Sequence, residues 1–203
     1  MKGLLIALLL AVGAGSAFGQ YQENVHYTVV SKTATAAPTV TEFFSMYCGH
    51  CFQFEPMMPQ LKAGLKMGTK FEKSHVDYIP HDNPTMQAGI VQAFVIMENM
   101  GAKGAELLQY FFDQIHVKMR AVDDMSTVKK MFEEKGVSKA EVDKYFADKT
   151  LEARAKKMAK EWEAKGIGSV PALVVNGKYL VNMGSVKSLP ELLAVVNYLV
   201  DKK

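Results

Sequence analysis

The chain has 203 residues, 49% of them apolar and 22% charged, with a formal net charge of +3. This is the composition of a globular protein, and the charge bias is too small to argue for nucleic acid as a partner. Two cysteines are far too few for a disulfide scaffold.

The N-terminus opens with a short positive flank, Met1-Lys2, then the apolar run LLIALLLAV (Leu4–Val12), then small residues in GAGSAFG. That is the three-part layout of a secretory signal peptide. The run is shorter than the roughly 20 residues that span a bilayer. Residues 1–19 are therefore read as a cleaved signal, with cleavage after Gly19 or, second, after Ala17. No other stretch is apolar enough for a membrane span. The remaining length fits one domain, or one domain carrying an insertion. Export implies an oxidising compartment.

Strand signals come first. VHYTVV (Val25–Val30) and TVTEFFSMY (Thr39–Tyr47) are rich in β-branched and aromatic residues. CFQFEPMMPQLKAGLKM reads as a helix bent near Pro56 and Pro59. KFEKSHVDY (Lys70–Tyr78) reads as another strand, and IPHDNP (Ile79–Pro84) breaks the pattern. From about Thr85 to Lys165 the periodicity is helical, with a capping box at Ser138–Glu141 and a C-cap glycine at Gly166. Strand signals return in PALVVNGKYLV, where Asn176-Gly177 marks a hairpin. Ser188–Glu191 reads as a second capping box, opening a final amphipathic helix. The order predicts an α/β layer, residues 20–80 and 160–203, with an inserted all-helical domain at 81–159.

Both cysteines lie in one short segment, TEFFSMYCGHCFQFEP, as Cys48-Gly49-His50-Cys51. As a staple the pair closes a very short loop, worth roughly 2 kcal/mol in the chain-entropy model before strain. As a metal site it lacks a second ligand pair, and His50, His75 and His81 match no familiar zinc spacing. A c-type haem requires histidine where Phe52 stands. As a reagent it fits: a cysteine where a strand turns into a helix meets unpaired backbone N–H groups and the positive end of the helix dipole. His50 adds a positive charge or a donor, and both effects lower the pKa of Cys48. Cys51, a turn inward, is the more buried partner.

EFFSMYCGHCFQFEP resembles the active-site segment of the DsbA family, bacterial periplasmic thiol:disulfide oxidoreductases, and GSVPALVVNGKYLV (Gly168–Val181) resembles that family's second signature. The resemblance covers essentially the whole chain after the signal. It implies a thioredoxin-like fold carrying the helical insertion. It implies a periplasmic dithiol oxidase whose Cys48–Cys51 disulfide, with no other cofactor and no metal, is donated to unfolded or reduced exported proteins. It further implies a monomer recharged by a membrane oxidase resembling DsbB, with a quinone behind it. By the same resemblance Pro171 is a cis-proline facing the cysteines, Val170 offers its backbone to a substrate segment, and Glu42 and Lys73 form a buried charged pair beneath them. On the residues alone, Glu42 is either buried with a partner or on the solvent face of an edge strand. His75 reads as a core or surface histidine. The family most often has Pro-His between its cysteines; Gly49-His50 is instead the dipeptide of protein disulfide isomerase.

Two other readings use the same residues. An isomerase or reductase would employ the same pair, but isomerases of the DsbC type carry a dimerisation domain that about 20–25 residues before the layer cannot hold. A chaperone-like peptide-binding module would draw on the 13 methionines, most of which fall at helical core spacing.

Overall fold

The computed structural model of the chain describes residues 21–202. The apolar leader at 1–19 lies outside the described residues. Strand β1 (Tyr27–Val29) and strand β2 (Thr39–Phe44) come first. Helix α1 (Gly49–Phe54) runs through a 3-10 turn (Glu55–Met57) into α2 (Met58–Gly64). The irregular turn falls at Pro56, which has no N–H to give, so the bend has its expected cause. Strand β3 (Lys70–His75) follows.

The helical block comprises α3 (Pro84–Asn99), α4 (Ala102–His116), α5 (Met125–Glu134), α6 (Lys139–Ala147) and α7 (Lys149–Met158), and the short α8 (Glu161–Ala164), whose Trp162 packs with the sheet cluster, leads out of it. Helix α3 buries residues around its whole circumference, among them Met86, Ile90, Val91, Phe94 and Val95, and is the centre of the block. The Ser138 capping box is complete, with Glu141 reaching back to the Ser138 N–H. The segment before Gly166 departs from one continuous helix: it breaks at Ala159–Lys160 into α7 and α8. No glycine or proline marks that break. Gly166 has φ 62° and closes α8 as a Schellman motif, its N–H on Glu163 C=O and that of Ile167 on Trp162 C=O.

The chain returns to the sheet as β4 (Ala172–Val175) and β5 (Tyr179–Val181), then ends in α9 (Leu189–Asp201). Asn176 and Gly177 both have positive φ, 52° and 60°, as the tight hairpin turn requires. Asn176 does more than turn: its amide donates to the Leu199 and Val200 carbonyls at 3.1 and 3.0 Å, binding the hairpin to the end of α9. At the start of α9 the second capping box is only half formed. Ser188 accepts the Glu191 N–H, but the Glu191 carboxylate takes the N–H of Lys187 rather than that of Ser188.

The described strands form one sheet in the order β1-β5-β4-β2-β3. Strand β2 is interior, parallel to β3 and antiparallel to β4, and the register sets Glu42 beside Lys73. Val40, Leu173 and Val175 pack with Leu61, Leu192 and Val196 from α2 and α9 on one face. Phe43, Ala172 and Val174 pack with Val76 and Ile167 on the other. A third cluster joins the interior of the helical block to Phe44, Met46, Cys48 and Cys51. The sheet and the helical block therefore share a core at the cysteines.

Helices α3 and α4 meet backbone to backbone at Gly104. A Cβ there would sit 1.7 Å from the Met97 carbonyl oxygen, so any side chain forces the helices apart. Gly104→Ala should lower stability by about 1–3 kcal/mol, read as a fall in the urea unfolding midpoint. An unchanged midpoint would show that the contact gives way freely.

Candidate functional site: a thiol pair at a helix N-terminus

Strand β2 ends at Phe44, and residues 45–48 turn the chain into α1. The Cys48 N–H donates to Ser45 C=O at 3.0 Å, closing the turn. The Met46 N–H donates to Nε2 of His75 at 2.9 Å, and the other ring nitrogen, Nδ1, donates to Val76 C=O at 2.7 Å. His75 is fully buried, and burial drives its pKa down to about 3. It is a neutral core residue that fixes the turn.

Cys48 is the N-cap of α1, with extended backbone angles of φ −85° and ψ 113°. Its sulfur occupies the place of a capping oxygen and accepts the Cys51 N–H at 3.2 Å. The Cys48 thiol also reaches the Val170 carbonyl at 3.4 Å, and the Val170–Pro171 bond is cis. Loop and helix, distant in sequence, thus meet at one sulfur. The two thiols are unbonded. Both cysteines are buried, Cys48 at 9% exposure and Cys51 fully enclosed, so Cys51 is the deeper of the two. Gly49 and His50 are exposed. A Cβ at Gly49 would have no atom within 4 Å.

The pair is electrostatically lopsided. The Cys48 thiol is brought down to about 6, first by a hydrogen bond from the Cys51 thiol, which overcomes the opposing effect of burial. The backbone N–H groups of Cys51 and His50 add to this, and the charge of His50 is the smallest of these contributions. The helix terminus therefore outweighs the histidine. Cys51 is pushed up, by its bond to Cys48 and by burial.

Beneath the thiols, Glu42 Oε2 lies 2.8 Å from Lys73 Nζ, with the Glu42 side chain fully buried and that of Lys73 11% exposed. The interior position of β2 removes the solvent-face alternative for Glu42. Burial raises the Glu42 carboxyl above its ordinary value, Lys73 opposing. Burial also weighs against the Lys73 ammonium, but Glu42 and Glu55 together leave it raised. The charge of Glu42 is among those felt by Cys51. Glu55, half-buried, shares the ammonium with Glu42, and the Phe44 ring lies 4.4 Å from it. Glu55 is absent from the residues singled out in the sequence. The available signal is its position, four residues after Cys51 in the 3-10 turn that continues α1. Among the described residues, no group of three or more His, Cys, Asp or Glu side chains could hold a metal ion.

The Thioredoxin family model matches residues 27–194. The thiol:disulfide interchange protein DsbA of Pectobacterium carotovorum is 32% identical over 98% of this chain and 97% of its own length. That of Escherichia coli K12 is 32% identical over 88% of this chain and 84% of its own. Among solved structures, DsbA from Klebsiella pneumoniae superposes with a TM-score of 0.78 at 21% identity, covering 90% of this chain and 98% of that one. The Proteus mirabilis DsbA solved with the bound peptide PWATCDS gives 0.74 at 25% identity, covering 90% and 99%. With the family model matching most of its length and curated relatives aligned over nearly all of it, the chain belongs to the DsbA family of thiol:disulfide oxidoreductases, on a thioredoxin-like fold.

Proposed function

We propose that the chain acts as a dithiol oxidase, giving the Cys48–Cys51 disulfide to reduced exported proteins with Cys48 as the exchanging sulfur. The observation that carries this reading is the Cys48 sulfur held against the Cys51 N–H at 3.2 Å at the mouth of α1. In the oxidised protein a substrate thiolate attacks Sγ of Cys48. The Cys48–Cys51 bond breaks, Cys51 takes the electron pair, and a mixed disulfide to Cys48 forms. A second substrate thiolate then attacks the substrate's own sulfur, and Cys48 leaves as a thiolate. The substrate is oxidised by two electrons and the pair is reduced by two. A leaving thiol with pKa near 6 departs far more readily than an ordinary one.

Cys51 is a poor anion in its surroundings and takes a proton as it leaves. Glu42, raised by burial and set among the charges that Cys51 feels, serves as proton partner, with Lys73 and Glu55 balancing charge. Val170 and Pro171 present the substrate seat. In the dithiol the Cys48 thiol reaches the Val170 carbonyl, and an extended substrate segment would pair with that backbone in its place. The Proteus mirabilis DsbA solved with a peptide supports a peptide-binding site of this kind. Gly49 and His50 adjust the terminus rather than react.

Residues 1–19 direct export to the periplasm, residues 81–159 are an insertion into the thioredoxin-like layer, and the protein works as a monomer. A membrane oxidase resembling DsbB removes two electrons and two protons to restore the disulfide, and no further cofactor takes part.

Cys48→Ser should abolish oxidation of a reduced, unfolded disulfide protein, followed by loss of free thiols. Surviving activity would place catalysis elsewhere. Equilibration with glutathione separates oxidase from reductase: an oxidase stays reduced at buffer compositions far more oxidising than the cytosolic poise, whereas half-reduction near that poise would support the reductase reading instead.

The thiolate absorbance of the reduced protein should titrate near pH 6; a midpoint near 8.5, that of a free thiol, would contradict the site's electrostatics. The same shift sets stability. A lowered thiol pKa contributes stability that is complete above the unfolded value and is lost as pH falls through the folded one. Cys51, shifted upward, acts in the opposite sense only above the ordinary thiol value. The dithiol should therefore gain stability over the disulfide form from about pH 6 to about pH 8.5. Urea unfolding of both forms at several pH values checks this, and a difference flat with pH would refute it.

A further inference from the structure

The turn that carries Cys48 is also held from the helical block, by a residue that neither the exchange nor the charge pair uses. His116 ends α4, and its Nε2 lies 2.9 Å from the Met46 carbonyl oxygen. A carbonyl only accepts, so Nε2 carries the hydrogen. The Met46 N–H, on the other side, is taken by His75. Both peptide groups of Met46, a fully buried residue, are thus tied to histidine nitrogens. The His116 ring stacks on Phe52, the residue after Cys51, with centroids 5.1 Å apart and planes 15° from parallel. Tyr47, the residue before Cys48, donates its hydroxyl to Val122 C=O at 2.6 Å. The segment from His116 to Val122 therefore braces the cysteine pair on both flanks.

We propose that His116 is a positioning residue for Cys48: through Met46 and Phe52 it fixes the turn against the start of α1, and so sets how closely the Cys51 N–H meets the Cys48 sulfur. This rests on the reading of Cys48 as the exchanging sulfur. Without the donor, the Met46 carbonyl is buried and unpartnered, a state costly enough to shift the backbone towards another partner. Cys48 follows Met46 by two residues and moves with it. A longer N–H to sulfur contact leaves the thiolate more basic, a poorer leaving group and a weaker oxidant.

His116→Phe keeps a ring against Phe52 and removes the donor. His116→Gln keeps an N–H donor and removes the ring. The full mature protein carrying each is compared with wild type in the pH titration of the Cys48 thiolate, the glutathione equilibrium and thermal unfolding. His116→Phe should raise the thiolate midpoint and weaken the oxidant about two- to tenfold, the equivalent of one hydrogen bond. His116→Gln should recover at least half of that shift. His116→Met, which also lacks a donor, takes the place of His116→Phe if that variant does not fold. A donor-less variant that loses thermal stability but titrates like wild type would reduce His116 to a packing role. A glutamine variant shifted as far as phenylalanine would show that the donor is not the agent. A wild-type Cys48 that titrates like a free thiol defeats the functional reading itself, whatever the variants do.

Discussion

A sulfur that must carry negative charge at the margin of an apolar core needs donors already aimed at it, because water has little access there. At Cys48 the donors are first the Cys51 thiol and then the N–H of Cys51, 3.2 Å away, one of the groups that any helix leaves unpaired at its start. Placing a side chain at an N-cap requires extended backbone, then an immediate switch to helix. The end of β2, the turn over residues 45–48 and the opening of α1 provide that switch. Ties to His75 from one side and to the Val170 loop from the other keep it in place.

The two thiols differ because they sit on opposite sides of that terminus. Cys48 receives helix donors; Cys51 points into the core shared by sheet and helical block, where an anion has little to stabilise it. Reduction therefore leaves one favoured anion and one thiol that demands a proton. The ion pair of Glu42 and Lys73 beneath them is the complementary arrangement. A buried carboxylate is tolerable only with a partner, and β2–β3 register provides it by setting the two residues opposite each other. A one-residue slip of β3 against β2 would carry Lys73 to the other face of the sheet and leave Glu42 buried without its partner.

Much of this was legible in the residues. Tyr27–Val29, Thr39–Phe44 and Lys70–His75 sit within segments of strand composition, and Pro56 announced the bend after the cysteines. Asn176-Gly177 announced the hairpin, because positive φ at successive positions leaves few residue types to choose from. The failures share a cause. The break between α7 and α8, the redirected Glu191 carboxylate and the sharing of Lys73 with Glu55 are all decided by neighbours from elsewhere in the chain. Local pattern is silent about them. The same holds for His75: a histidine in a strand is ambiguous until Met46 and Val76 are seen on either side of its ring. For Asn176, sequence indicated the turn but not the two carbonyls of α9 that its amide binds.

Gly49 occupies the first helical position and faces open space. Nothing in the packing demands glycine there, and that position readily accepts proline in helices generally. The residue beside the reacting sulfur is thus released from structural duty, while its peptide group still belongs to the terminus that holds the thiolate. Such a site works like the trimmer on an instrument. A side chain added there meets no neighbouring atom, so substitution at Gly49 changes the surroundings of the Cys48 sulfur without displacing anything packed around it.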